Sequence, residues 1–204
     1  MDKLKFYFFA FFVIIVLGWW FLNFAEGFLG NYYSGPVEHA LNTVDLASLT
    51  TAQLKSYITQ GYGTTLFSSL SAGYIQPWHN GVDIIANYGA AILSPDSGMV
   101  FMTGNQDNYC NGKGYGKFVV VNDASDGHAL LYAHLSRISV AVGEKIKTRD
   151  TIGLVGKTGF ATGTHLHFTV FEPGSVYIGS NNGCGPDPKG KDMNPLTYLD
   201  SIKK

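Results

Sequence analysis

Charge is scarce and evenly split: 14 lysines and arginines stand against 15 acidic residues, giving a formal net charge of −1. No block of either sign occurs. A basic patch is the electrostatic footprint of nucleic-acid binding, and without one that class of partner is set aside. Internal repeats are also missing, which argues for one core rather than a stacked array. Cysteine is limited to Cys110 and Cys184. Only 14% of the 204 residues are charged while 46% are hydrophobic, enough for one well-buried domain. Part of that apolar share is concentrated at the amino terminus.

After Lys3 and Lys5, residues 6–22 carry no charge and no strongly polar side chain, and Trp19 and Trp20 sit near the outer end of the run, as interfacial aromatics do. A cleaved signal peptide would have a shorter apolar core followed by small residues, whereas Phe21 and Phe24 crowd that position. The expectation is an uncleaved transmembrane anchor over 6–23, with a short cytoplasmic tail over 1–5 and everything later on the far side of the membrane. Residues 24–69 read as a linker. Within it Thr50 and Gln53 form a capping-box pattern that opens a short helix, Leu54, Tyr57 and Ile58 make its apolar side, and Gly61 can end it.

The remaining chain, 70–204, is strand-like. Runs over 118–121, 129–132 and 167–171 are short, aromatic and β-branched, with Gly or Asp near their ends, and no helical period competes. Three histidines in this region fall into a pattern with Asp83. His79 precedes it by four residues, and His165 and His167 flank Leu166. Side chains alternate across a strand, so His165 and His167 share one face, as Tyr132 and His134 would. A catalytic zinc site takes three nitrogen or oxygen ligands and leaves a position for water, so a His, a carboxylate and a further His are the expected complement. A lone strand histidine is more often structural, and His39 and His128, without partners at ligand spacing, are read that way. The run Gly153-Leu154-Val155-Gly156-Lys157-Thr158-Gly159 superficially resembles a phosphate-binding loop but has the wrong glycine spacing and no helix pattern after it. Its glycines are better read as turn geometry.

The segments His79-Asn80-Gly81-Val82-Asp83, Leu131-Tyr132-Ala133-His134-Leu135 and Gly163-Thr164-His165-Leu166-His167-Phe168 resemble, in order, the three signature motifs of the lysostaphin/LytM-type zinc endopeptidases. The stretches around Gly114–Val120 and Val142–Ile146, and the closing Met193-Asn194-Pro195-Leu196, resemble that family too. The likeness implies a mainly β fold, an antiparallel sheet with zinc in a groove, and the amino-terminal residues put a single transmembrane helix and a short helical or loop linker before it. It implies zinc held by His79, Asp83 and His167, with His134 and His165 as the catalytic histidines that handle protons and the developing oxyanion. The implied substrate is the stem peptides or cross-bridges of peptidoglycan, and the implied location is outside the cytoplasmic membrane or on a virion membrane, with envelope, secretion or virion proteins as further partners. The alternative is a non-catalytic binding or activator module. Tyr74 and Trp78, just before the first motif, are candidate groove walls, whereas Tyr132 is read as packing. In the family topology the Gly/Asn-rich insertions over 103–116 and 174–190 border the groove. A Cys110–Cys184 disulfide would staple them in an oxidising compartment, and two free thiols are the other possibility.

Overall fold

A computed structural model describes residues 40–70, 77–180 and 183–203. The expected anchor over 6–23, His39 and Tyr74 lie outside the described residues. No helix among the described residues is long and apolar enough to cross a membrane.

The fold is mainly antiparallel β. The strands are β1 (Leu41–Asp45), β2 (Ile58–Gln60), β3 (Val82–Leu93), β4 (Gly98–Asn105), β5 (Lys117–Asp123), β6 (Ala129–Ala133), β7 (Leu135–Ile138), β8 (Lys145–Ile146), β9 (Thr151–Val155), β10 (His165–Phe171), β11 (Tyr177–Ser180), β12 (Pro186–Lys189) and β13 (Asp192–Met193). The helices are short: α1 (Thr51–Lys55), α2 (Leu66–Leu70) and α3 (Pro195–Ser201), with a 3₁₀ turn at Gln106–Asn108. The main sheet runs β7-β9-β3-β10-β6-β5-β4-β8, with β1 and β2 on β3 and β13 on β10. β11 and β12 form a separate hairpin.

The alternation of apolar residues explains why the central strands are buried on both faces. In β5 and β6, Val119, Val121, Leu130 and Tyr132 enter one core cluster, while Phe118, Val120, Leu131 and Ala133 enter a second on the opposite face. In β10, Leu166, Phe168 and Val170 join the first cluster. Each such fully buried side chain contributes about 1.5–3 kcal/mol. β10 keeps its polar residues, His165, His167 and Thr169, at the alternate positions. β3 does the same, with Val82, Ile84 and Ala86 in the core and Asp83 between them. Gly81, just before β3, lies so close to β10 that a Cβ there would sit 2.5 Å from Phe168 O.

Two local expectations change in three dimensions. The capping box at Thr50 and Gln53 forms in both directions, but α1 ends at Lys55, with Ser56 as its C-cap, rather than running to Gly61. Residues 58–60 instead pair with β3 beside Asp83. A strand partner satisfies the backbone there, which outweighs the helical pattern. Tyr132 and His134 do not share a face: Tyr132 is fully buried in the core against Phe168, at a ring separation of 5.3 Å. His134 follows the end of β6 with φ 60°, which breaks the alternation. The two cysteines are joined, Cys110 to Cys184, tying the 103–116 insertion to the β11–β12 hairpin.

Candidate metal centre

Three neighbouring elements deliver the site. β3 and β10 pair with His167 opposite Asp83 and His165 opposite Ile85. On the other edge of β10, His167 pairs with Ala133, so His134 emerges next to it. His79 is brought in by a bridge to Gly63, with hydrogen bonds of 2.8 and 2.9 Å between the two backbones.

His79 Nε2, Asp83 Oδ1 and His167 Nδ1 form a tight triangle, with edges of 3.0 Å between the two nitrogens, 3.2 Å from His79 to Asp83 and 2.9 Å from His167 to Asp83. The three residues are 1%, 8% and 5% exposed. Zinc–ligand bonds of about 2.0–2.1 Å at tetrahedral angles would separate the ligand atoms by about 3.3 Å. The triangle is therefore close to the size such an ion needs.

The protonation pattern supports the same occupant. Nδ1–H of His79 donates to Gly61 O at 2.8 Å, so its Nε2 is a bare lone pair in the neutral ring. Nε2 of His167 meets Thr169 Oγ1 at 2.9 Å, and donation there leaves Nδ1 bare. Two lone pairs and a carboxylate oxygen then converge around one point, which is repulsive unless a cation sits among them. Second bonds of this kind on metal-ligating histidines are what set the tautomer. Burial opposes ionisation of Asp83, yet when these rings carry a proton in place of a metal cation, the charges of His79 and His165 and hydrogen bonds from His167 and His79 outweigh it and hold the carboxyl well below its usual range. Burial likewise pushes the His79 cation down, but Asp83 reverses the balance and raises its pKa.

His134 and His165 complete the cluster, their rings 4.8 Å apart. His134 Nδ1–H donates to Thr158 O at 2.8 Å and His165 Nδ1–H to Gly163 O at 3.0 Å. Each therefore keeps a bare Nε2, and that of His165 lies 3.5 Å from Asp83 Oδ1. Burial, together with His165 and His167, pushes the His134 imidazole down to about 3, so that it is neutral at physiological pH. These histidines and Asp83 line a cavity of about 430 Å³, with Thr59, Phe67 and Phe160 among its walls.

The five residues picked from the motifs thus meet in one cluster, of which Asp83, His134, His165 and His167 line the groove and His79 lies buried behind them. His128 lies elsewhere, its ring edge-on to Tyr198 and its Nδ1 2.6 Å from Asp126. Trp78 is not among the described lining residues: it is 44% exposed, and its indole N–H donates to Asp192 at 2.9 Å. Among the described residues the aromatic walls are Phe67 and Phe160, whose rings stack at 6.5 Å. Nothing local in the sequence marks those two. Thr169 is a site residue that the motif reading leaves out, although strand alternation points to it, two residues beyond His167 on the same face. The carbonyls of Gly61, Thr158 and Gly163 have no side-chain signature at all.

A β-sheet groove in which two histidines and an aspartate converge beside two further histidines defines a candidate metallohydrolase. Residues 77–183, just over half of the chain, match peptidase family M23, and the protein belongs to that family. The crystallised catalytic domain of lysostaphin, the antimicrobial peptidase of Staphylococcus simulans, has the same fold: TM-score 0.55 and 26% identity, covering 74% of this chain and 98% of that one. The glycyl-glycine endopeptidase of Staphylococcus capitis is 38% identical over 90 residues, 44% of this chain and 24% of that protein. The peptidoglycan DD-endopeptidase ShyA of Vibrio cholerae is 35% identical over 96 residues, 47% of this chain and 21% of its own length. The chain spans less than a quarter of the length of these two relatives.

Proposed function

We propose that this protein is a zinc-dependent endopeptidase that hydrolyses peptide cross-links of peptidoglycan. The observation that carries the reading is the convergence of His79 Nε2, Asp83 Oδ1 and His167 Nδ1 within 4.8 Å of one another, beside two more histidines that face the same groove. Bound there, zinc supplies a Lewis acid that polarises the scissile carbonyl and lowers the pKa of a water toward about 7. His79, Asp83 and His167 hold it, oriented by Gly61 O and Thr169 Oγ1. His134 and His165 each turn Nε2 toward the groove, and the one that takes the proton of the attacking water becomes the N–H donor that stabilises charge on the carbonyl oxygen and returns that proton to the leaving amine. Phe67 and Phe160 narrow the groove around an extended peptide.

The relatives supply the substrate class: one is named for glycyl-glycine bonds and the other as a peptidoglycan DD-endopeptidase. The uncharged apolar run over 6–22 supports a membrane anchor, with the catalytic domain on the far side in the periplasm, at the cell exterior or on a virion membrane, where the wall is accessible. The disulfide fits an oxidising compartment. The test is zinc content and turbidity loss of purified peptidoglycan, with products identified by mass spectrometry, for the full chain in detergent and for His167→Ala and His134→Ala. One equivalent of zinc with cleavage, metal lost in the first variant and activity alone lost in the second, is the expected result. Zinc without cleavage of any wall type would leave a binding or activator module, and absence of zinc would overturn the reading.

A further inference from the structure

Of the four clustered histidines, His134 alone has left-handed backbone, with φ 60°. That conformation is uncommon for a side chain other than glycine and persists only where the surroundings over-determine it. Two hydrogen bonds do so. The His134 N–H donates to Tyr115 O at 2.9 Å, and its Nδ1–H donates to Thr158 O at 2.8 Å. One bond sets the backbone and the other aims the ring.

Both acceptors are held by consecutive residues of the 3₁₀ turn. Gln106, 1% exposed, accepts from Tyr115 N–H at 2.6 Å through its side-chain oxygen. Its amide donates to Asp187 Oδ1 at 3.1 Å and to Pro186 O at 3.2 Å, both on β12. Asp107 accepts the N–H of Gly159, next to Thr158, at 3.1 and 3.2 Å from its two oxygens. The backbones of the two loops are in contact there. A Cβ on Gly116 would lie 2.4 Å from Gly159 N, and Phe160 N–H donates to Gly114 O at 2.8 Å. The Cys110–Cys184 bond then joins the turn to the hairpin that Gln106 already grips.

We propose that the disulfide-stapled turn at Gln106–Asn108 is a positioning element for His134, with Gln106 and Asp107 as its two positioning residues. The inference rests on the reading that His134 moves protons in the groove. Neither residue lines the cavity or belongs to the ligand triangle. Their loss should therefore act on the catalytic step rather than on zinc or substrate binding. The Gln106 arm sets the His134 backbone through Tyr115, and the Asp107 arm sets its ring through the Thr158 carbonyl.

The test uses the zinc-loaded full chain in detergent, with turbidity loss measured over a range of peptidoglycan concentrations. Gln106→Ala and Asp107→Ala are each expected to lower kcat about 10- to 100-fold, the cost of misplacing a catalytic group by about 1 Å. KM and zinc affinity should stay within about twofold, the mark of an interaction made only in the transition state. Asp107→Asn keeps an acceptor for Gly159 and should restore most of the rate. Pairing Gln106→Glu with Asp187→Asn reverses the donor between turn and hairpin while keeping the acceptor for Tyr115, and should recover activity that Gln106→Glu alone loses. Hydrogen exchange of the His134 amide, read by NMR, should speed up in Gln106→Ala by about tenfold or more as its local opening becomes easier.

Unchanged kcat in both alanine variants, or a loss matched by weaker zinc binding, would overturn the proposal. Failure of the wild type to cleave peptidoglycan would instead overturn the endopeptidase reading. In that case an unchanged His134 exchange rate in Gln106→Ala still overturns the positioning role. If Gln106→Ala does not fold, the Asp107→Ala and Asp107→Asn pair decides the matter through the same kinetic split.

Discussion

The floor and the rim of the groove are built by different means. On the floor, Asp83 and His167 face each other across paired strands, and the register that buries Ile84, Leu166 and Phe168 on one side leaves the polar pair on the other. A slip of one residue would move every side chain to the wrong face, so the core enforces the ligand geometry. On the rim, His134 sits just beyond a strand end in left-handed backbone, and carbonyls from two separate loops aim it. The floor is thus specified by core packing and the rim by hydrogen bonds between loops. Loss of a floor residue should remove the metal, whereas damage to the rim should spare the metal and slow the chemistry.

The sharpest break in that comparison is His167→Ala. It should abolish stoichiometric zinc and lower cleavage by about 10³-fold or more, because one part of a unit that acts together is gone. Elemental analysis beside turbidity loss checks both halves. His134→Ala should keep its zinc and lose about 10²- to 10⁴-fold in kcat, the usual contribution of a positioned acid–base group. If its zinc were lost as well, the division between floor and rim would not hold. Thr169→Val removes the partner of His167 Nε2 and should weaken zinc binding by about 10- to 100-fold, measured by competition with a chelator, while the fold persists.

Smaller effects sharpen the rim. Replacing both cysteines by serine frees a 74-residue loop and should cost about 2–4 kcal/mol of stability, seen as a lower urea midpoint. Thr50→Ala removes a capping box far from the groove and should cost about 1 kcal/mol in the same measurement with no change in kcat.

Much of the floor was legible in the linear sequence. The alternation in residues 165–171 predicts a strand with two histidines on one face, and Thr169 follows by the same count. The short capping helix was legible at its start, where the signal is local, and not at its end, where β2 pairs with β3. Strand alternation, carried one residue past the end of β6, puts His134 on the face of Tyr132, and the left-handed backbone at His134 turns it away. The sequence offers Trp78 as a groove wall beside Tyr74, which lies outside the described residues. Trp78 instead bonds Asp192, and Phe67 and Phe160 line the groove.

The sequence by itself determined the class of chemistry. Residue type and short-range spacing choose the ligand chemistry, and period-two alternation chooses the face. The tertiary structure decided what meets across the chain. His79 and His167 are 88 residues apart and meet at 3.0 Å, and Gln106 and Asp187 are 81 apart and meet at 3.1 Å. It also decided that His134 turns out of its strand and that a stapled surface turn holds it there. Such contacts depend on which strands pair and which loops touch, and those are properties of the whole core rather than of any segment that contributes to it.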